Sequence, residues 1–150
     1  MITITRATSK HQDFIDLVKQ LDAYLKVTDG DDHAFYNQYN SIESLNHVVI
    51  AYYENKPIGC GAFKEFNENS VEVKRMYVLP KSRVNGVGKQ ILNALEIWAK
   101  DLGYNSCVLE TGKRQIEAVQ FYKKCNYTSI PRYGQYQQME NSLCFEKQLK

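Results

Sequence analysis

A strand, a turn with two glycines and a helix follow one another between residues 70 and 102, and this succession constrains the chain most. Alternating β-forming residues predict a strand over Ser70–Leu79, and an apolar stripe predicts a helix over Val87–Leu102. The turn between them, Arg83–Lys89, contains Gly86 and Gly88. Glycines let a ligand approach the backbone, and the N–H groups at a helix N-terminus favour an anion. The turn therefore predicts a phosphate or pyrophosphate site; the alternative is a connection without a ligand.

The residue sequence of this turn excludes two common phosphate-binding loops. A P-loop places Ser or Thr after Gly-Lys to hold a metal ion, whereas Gln90 follows Lys89 here. A dinucleotide-binding turn has a third glycine for close packing of helix and strand, and Ile91 occupies that place. What remains is the pattern Arg-x-x-Gly-x-Gly, which begins at Arg83.

Length and composition are those of a soluble domain. With 150 residues, the chain is expected to form a single domain over residues 1–150. No apolar run approaches the roughly 20 residues needed to cross a membrane, and the N-terminus lacks the apolar core of a signal peptide, so a cytoplasmic protein is expected. The four cysteines are widely spaced and are predicted to be buried and reduced. The three histidines lack partners at metal-ligand spacing, and no metal site is expected.

Charge is distributed unevenly along the chain. The net charge of +2 argues against a nucleic-acid partner. Residues 1–70 carry six Lys/Arg and ten Asp/Glu, whereas residues 71–150 carry thirteen and seven. A basic half suits an anionic cofactor and an acidic half suits a cationic acceptor. The alternative is a set of scattered, solvated charges.

The turn signals predict a mixed sheet. Short turns at 55–57 and 67–69 connect three strands and predict an antiparallel meander. A helical crossover then leads to Ser106–Glu110, which is expected to run parallel to the preceding strand. The first helix is expected to end near Lys26, and a helix over Gln115–Cys125 precedes two final strands. The predicted class is α/β (α+β), with a mixed, mostly antiparallel central sheet of about six to seven strands flanked by about four helices.

The loop and the segments around it resemble the GNAT superfamily of N-acetyltransferases, in its bacterial small-acetyltransferase branch. Arg-x-x-Gly-x-Gly is similar to the pyrophosphate loop of that family, and the ordered match covers roughly residues 48–149. Asn85 and Cys125 depart from the residues usual there. The resemblance implies the GNAT acyl-CoA N-acyltransferase fold, with acetyl-CoA as cofactor. The matching segments are Glu72–Val78, Arg83–Lys89, Leu109–Gly112, Gln115–Ala118, Phe121–Tyr127 and Ser142–Leu149.

The resemblance also implies which residues hold the cofactor. Backbone N–H groups from Val84 to Lys89 would contact the pyrophosphate. The strand end Met76–Val78 would pair with the pantetheine arm as an added strand and present an N–H group to the thioester oxygen. The expected cofactor-binding residues are Met76, Tyr77, Val78, Arg83, Val84, Asn85, Gly86, Val87, Gly88, Lys89, Gln115 and Tyr122.

Three residues are candidates for proton transfer. Tyr122 matches a family tyrosine near the cofactor sulfur, and its phenol, with an ordinary pKa of about 10, would stay protonated as a general acid; the alternative is a core residue. Glu72, eleven residues before Arg83, resembles the general base of the histone-acetylating branch. Glu110 competes with it, because it ends a strand where ligands gather in open α/β sheets. Either carboxylate has a structural ion pair as its alternative, and a neutral amine deprotonated by water is the third route.

The acceptor pocket is expected between Val27–Tyr39 and Pro131–Tyr136, which usually shape it in this family. Acidic and aromatic side chains there could hold an ammonium by ion pairing and cation–π contact; turn chemistry is the alternative for the aspartates. The candidate substrate-binding residues are Asp29, Asp32, Tyr36 and Tyr133.

Together these features predict a cytoplasmic acetyl-CoA-dependent N-acetyltransferase. It would transfer acetyl to a primary amine of a small molecule or amino acid by direct attack in a ternary complex. A non-catalytic acyl-CoA-binding module and a protein or peptide amine acetyltransferase are the alternatives. No nucleic-acid or membrane partner is expected; relatives in the family frequently form homodimers.

Overall fold

The computed structural model describes residues 1–39, 41 and 45–150, apart from the side chain of Val84. Within these residues the backbone forms a seven-stranded sheet with four α-helices. In chain order the elements are β1 (Ile2–Ala7), α1 (Gln12–Asp29), α2 (His33–Asn37), β2 (His47–Tyr53), β3 (Lys56–Asn67), β4 (Ser70–Val78), α3 (Val87–Asp101), β5 (Ser106–Gly112), α4 (Ile116–Lys124), β6 (Thr128–Ile130) and β7 (Ser142–Gln148).

The sheet confirms the predicted topology. Its strand order is β1-β2-β3-β4-β5-β7-β6. Strands β1 to β4 form an antiparallel meander, β4 and β5 run parallel, and β7 pairs antiparallel with both β5 and β6. The single parallel pair is the one joined by a helix, as a crossover requires.

Each face of the sheet is covered by helices because the strands alternate apolar side chains between the two faces. Helix α1 packs Phe14 and Leu17 against one face, on β2 residues Val48 and Ile50. Helix α3 packs against the opposite face, where Ile91 and its neighbours meet the other β2 and β4 side chains. All four cysteines are buried and free, as predicted. None of the helices in the described ranges has the length and apolarity to span a bilayer.

Helix α1 extends to Asp29, one turn beyond the predicted end near Lys26. Gly30 ends it, with φ of 56°. The carbonyl of Asp29 accepts a hydrogen bond of 2.6 Å from Arg114 Nη1, which lies in the turn before α4. An arginine far along the chain therefore stabilises the last turn, and this contact has no local signal in the sequence.

A bulge in β4 changes the direction of its side chains. Pairing with β3 passes from Ala62 and Lys74 to Cys60 and Tyr77, so that two β4 residues lie opposite Gly61. Lys74 and Tyr77 consequently share the face covered by α1, whereas Met76 packs on the face covered by α3.

At this bulge Arg75 adopts φ of 57°. Its buried guanidinium forms an ion pair with Asp22 of α1. The pair ties the bulge to the helix that covers this face of the sheet.

Strands β4 and β5 separate soon after they meet. Their pairing covers Ser70–Glu72 with Ser106–Val108. Beyond these residues β5 continues alongside β7 as far as Gly112, whereas β4 continues alongside β3 as far as Val78. The sheet therefore opens into a wedge between the ends of its two central strands, and this wedge positions the candidate site.

We expect Gly61→Ala to destabilise the fold by about 1–3 kcal/mol, because the core beside the bulge has no room for a methyl group. A Cβ built at Gly61 lies 2.6 Å from Met76 Sδ and 2.9 Å from both Ile91 Cγ2 and Leu95 Cδ1. Urea unfolding of the variant measures the loss. Gln90→Ala, at an exposed position of α3, is the control and should change stability by less than about 0.5 kcal/mol. Equal midpoints for Gly61→Ala and the unmodified chain would show that the bulge can relax.

Candidate active site

The turn before α3 forms a place for an anion. A short 3-10 helix, Pro80–Asn85, leads to Gly86, which lies in the left-handed region with φ of 71° and ψ of 17°. This conformation favours glycine, and a Cβ built at Gly86 has no atom within 4 Å. The Gln90 N–H donates to the Gly86 carbonyl at 3.1 Å and closes the first helical turn. The N–H groups of residues 87–89 come before Gln90, the first N–H donor within α3, and they point, with the helix dipole, out of the helix end.

Two cationic side chains lie at this turn. The Nε–H of Arg83 donates to the Val78 carbonyl at 2.8 Å, and its guanidinium lies over the rings of Tyr77 and Tyr24, 5.6 and 5.8 Å from their centroids. Arg83 therefore holds the turn against the end of β4 while its side chain remains exposed. Lys89 is exposed on the first turn of α3. Backbone donors and charges at one corner fit a pyrophosphate.

A cleft of about 120 Å³ occupies the wedge between β4 and β5. Residues of α1, α2, β4, β5 and α4 line it, together with the 3-10 helix Gly134–Tyr136. Of the side chains predicted from the sequence, the cleft brings together Asp29, Tyr36, Glu72, Met76, Glu110, Gln115 and Tyr122. The three predicted catalytic residues and two of the predicted acceptor residues thus share one space although they come from five elements.

Glu110 has the properties of a general base. The pKa of its carboxyl is raised to about 7, chiefly by burial, and the nearby charges of Asp29 and Glu72 contribute to this rise. A hydrogen bond with Ser142 and the charge of Lys74 oppose this rise. A carboxyl with a pKa near neutrality can accept a proton and release it again at the working pH of most enzymes.

Glu72 is buried and engaged in contacts with the protein. Its Oε2 accepts a hydrogen bond of 2.7 Å from the Tyr133 hydroxyl. Its Oε1 lies 3.4 Å from Lys74 Nζ. Both carboxylate oxygens therefore have partners, and the residue links β4 to the segment between β6 and β7.

Tyr122 lines the cleft and packs in the core at the same time. Its side chain is buried, with the rings of Phe121 and Tyr127 at 5.2 and 5.9 Å. Burial raises the pKa of the phenol above its ordinary value, and the charges of Cys125 and Glu110 act in the same direction. The hydroxyl is therefore protonated at neutral pH and available as a donor.

Aromatic residues close the cleft on the side of α2. The Tyr36 hydroxyl lies 2.7 Å from Ser142 Oγ, and the Tyr36 ring stacks with that of Tyr136 at 6.2 Å. Asp29 is buried at the end of α1, and burial raises the pKa of its carboxyl. These groups combine an acid with aromatic faces, as an ammonium site requires.

The two remaining predicted acceptor residues lie around this space. Tyr133 is half-buried and packs on Phe66 with a ring distance of 4.7 Å while it donates to Glu72. Asp32 lies in the 3-10 turn after α1, half-buried, and its charge raises the pKa values of Asp29 and Tyr36. Tyr133 thus forms a hydrogen bond with Glu72, which lines the cleft. The negative charge of Asp32 acts electrostatically on Asp29 and Tyr36, which also line it.

Sequence reasoning missed Lys74 and Ser142 as site residues. Lys74 lies two residues after Glu72, and the strand period of two places both on one face, so this signal was present. Ser142 begins the last strand and has no such signal. In the described part of the chain, no three His, Cys, Asp or Glu side chains come together in a way that could hold a metal ion.

Comparison with known proteins identifies the family. The model of the acetyltransferase (GNAT) family matches residues 14–127 of this chain. The chain belongs to the GNAT family. A relative named IAA acetyltransferase, from Azospirillum brasilense, is 30% identical over 99% of this chain and 98% of its own length.

Solved GNAT structures share the fold. A putative acyl-CoA N-acyltransferase from Klebsiella pneumoniae superposes with a TM-score of 0.84 at 27% identity, over 100% of this chain and 99% of the other. A GNAT acetyltransferase from Elizabethkingia anophelis with acetyl-CoA bound gives a TM-score of 0.73 at 22% identity, over 99% and 98%.

The protein is therefore an acetyl-CoA-dependent N-acetyltransferase, and the predictions of family, fold, enzyme class and cofactor are confirmed. The residues present fit the cofactor on two observations. The α3 turn offers free N–H groups beside an open glycine, and the end of β4 has no strand partner on its β5 side. The first suits a pyrophosphate and the second suits an extended amide chain.

Proposed function

We propose that this acetyltransferase acts on the primary amine of a small molecule or an amino acid, by direct attack within a ternary complex. The observation that carries the proposal is Glu110, whose pKa is about 7, in a cleft of about 120 Å³ at the open end of β4. A base of this kind can take a proton from an ammonium group, and a cleft of this size favours a small acceptor over a folded protein surface.

Glu110 rather than Glu72 is the general base in this proposal. Both carboxylate oxygens of Glu72 are held, by Tyr133 and Lys74, whereas burial brings Glu110 to a useful pKa. Glu72 then keeps Lys74 and Tyr133 in place. Asp29 and the rings of Tyr36 and Tyr136 would hold the incoming ammonium, with Asp32 adding to the negative field.

The cofactor supplies an acetyl group activated as a thioester. The backbone N–H groups of Val84 to Lys89 and the side chains of Arg83 and Lys89 would hold its pyrophosphate. The end of β4, Met76–Val78, would bind the pantetheine arm and direct an N–H group at the thioester oxygen, with Gln115 at the start of α4 beside it. Tyr122 would give a proton to the departing sulfur.

Direct transfer needs no covalent acyl-enzyme. All four cysteines are buried, and burial raises the thiol pKa of Cys60 and Cys107 to about 12, so that these thiols stay protonated and unreactive. We further propose that residues 1–150 act as a single cytoplasmic domain, with a homodimer as the assembly to test by light scattering.

A panel of acceptors tests the function by thiol release from acetyl-CoA. Small primary amines and free amino acids are expected to give turnover, with the acetylated amine as product by mass spectrometry. Turnover confined to peptides or protein lysines would favour the protein amine acetyltransferase instead. Measurable acetyl-CoA binding without thiol release for any amine would contradict the proposal in favour of a binding module.

Tyr122→Phe is expected to lower kcat by about 10-fold or more while acetyl-CoA affinity stays within about 2-fold, since only the donor hydroxyl is removed. Thiol release gives kcat and calorimetry gives the affinity. Tyr104→Phe is the matched control, because its hydroxyl bonds Glu65 on the exposed surface, 2.7 Å away. An unchanged kcat for Tyr122→Phe would leave the residue a role in packing alone.

A further inference from the structure

Lys74 is a buried amine inside the cleft of an enzyme that acetylates amines. Its side chain is 7% exposed and lines the space that also contains Glu110 and Tyr122. The other lysines are exposed, except for Lys147, which pairs with Glu96. Lys74 therefore differs from the other lysines both in its burial and in its position inside the cleft.

The backbone explains why this amine enters the cleft. Lys74 lies just past the last residue pair between β4 and β5 and just before the bulge at Arg75. Its side chain leaves β4 on the face covered by α1, where Leu21 and Leu25 border the cleft. The amine is thus carried by the same strand whose end forms the expected pantetheine site.

The surroundings of the ammonium are those that a substrate amine would meet. Nζ lies 3.4 Å from Glu72 Oε1, and the charge of Glu110 also acts on it. Burial lowers the pKa of Lys74 and the charge of Lys64 adds to this, while Glu72 and Glu110 oppose it. Lys74 is therefore present as the neutral amine in a larger fraction of molecules than an exposed lysine is. A nearby carboxylate can accept the proton that its ammonium loses.

We propose that Lys74 Nζ is itself an acetyl acceptor, so that this enzyme acetylates its own cleft when no other acceptor occupies it. The inference rests on the proposed function, because it uses the same thioester and the same base. The Lys74 ammonium loses one proton to Glu110 and then to solvent. Its nitrogen forms a bond to the acetyl carbon, the carbon–sulfur bond breaks, and the sulfur takes the second proton to leave as the free thiol.

The modification would regulate the acceptor site. An acetylated Lys74 has no charge, so Glu72 loses its cationic partner, and the added acetyl group fills part of a cleft of about 120 Å³. An acceptor bound in the cleft would in turn exclude Lys74 from reaction. Self-acetylation should thus be slow during turnover and should lower later activity once it has occurred.

Mass spectrometry of the intact chain after incubation with acetyl-CoA tests the inference, followed by peptide mapping. Without an acceptor, Lys74 is expected to be acetylated at least about 10-fold faster than exposed Lys100, because its amine is held beside the reacting group. The rate per molecule should not depend on protein concentration. Lys74→Arg should lose this modification, whereas the matched variant Lys100→Arg should keep it.

Four results would overturn the inference. Lys74 unmodified, while exposed lysines react, would show that its amine is not reached. Equal modification of Lys74 in Gly86→Asp, a variant designed below to weaken cofactor binding, would show chemical rather than enzymatic acetylation. If a small amine gave thiol release in the same preparation while Lys74 stayed unmodified, this inference would be overturned and the proposed function would stand. If neither thiol release nor modification of Lys74 occurred, the inference and the proposed function would both be overturned.

Discussion

Replacing Glu110 with glutamine is expected to lower kcat by about 100-fold, the contribution that a positioned general base typically makes. Glutamine keeps the shape of the side chain and a hydrogen-bonding oxygen for Ser142 but cannot accept a proton. The proton would then have to leave the ammonium through water. Thiol release with the best acceptor of the panel measures the effect.

The pH dependence gives this prediction a second readout. The Glu110 carboxyl has a pKa of about 7, so it is protonated below that pH and cannot act as a base. In the unmodified enzyme kcat should rise as pH increases through about 7 and then level off. Glu110→Gln should lack this step with the same acceptor. Because the acceptor amine titrates in both experiments, the difference between the two profiles is due to Glu110.

The stability of Glu110→Gln should show whether the variant loses activity because it lacks the base or because it is less well folded. A carboxyl whose pKa is raised by folding costs free energy when it ionises, and this cost appears as pH rises from the ordinary value of 4.5 to about 7. Glu110→Gln should therefore unfold no earlier than the unmodified chain at pH 8. Glu117→Gln, an exposed position on α4, is the control and should keep kcat within about 2-fold. If Glu110→Gln kept its full kcat, the base would be Glu72 or water.

Gly86→Asp is expected to raise the Kd for acetyl-CoA by about 100-fold, which corresponds to about 2.7 kcal/mol. The new carboxylate would stand at the N-terminus of α3, where the pyrophosphate is expected, and would repel it. Folding should be preserved, because aspartate tolerates the left-handed region, a Cβ there meets no atom within 4 Å, and a negative charge suits the start of a helix. Isothermal calorimetry measures the Kd.

Gly86→Asn is the matched control for this substitution. Asparagine has the same size and the same tolerance of the left-handed region but no charge, so its Kd should stay within about 5-fold of the unmodified chain. The defect of Gly86→Asp should shrink as salt increases, since the repulsion is screened. Equal losses in both variants would point to a steric cause, and unchanged binding in both would remove the pyrophosphate from this turn.

The parts of the fold that could be predicted are those with local signals. Short turns at 55–57 and 67–69 fix an antiparallel meander, and the helix between β4 and β5 requires them to run parallel. The glycine turn before α3 is likewise a local pattern. Each of these depends on residues that are neighbours in the chain.

The parts that could not be predicted depend on contacts between distant residues. The bulge at Arg75 needs Gly61 opposite and Asp22 beneath it, and neither is recognisable in the sequence of β4. Likewise, a carboxylate in a sequence gives no indication of its partners. The Tyr133 bond to Glu72 joins residues 61 positions apart, so the structure was needed to distinguish the engaged glutamate from Glu110.

The parting of β4 and β5 leaves a strand edge in the middle of a sheet rather than at its border. An unpaired edge on the outside of a protein invites another polypeptide to add a strand and so promotes aggregation. Here the edge from Val73 to Val78 lies between the two halves of the sheet, with α1 on one face and α3 on the other. We expect this position to leave the backbone groups of β4 available to the amides of a narrow ligand, while the two halves of the sheet hinder a foreign strand from adding there.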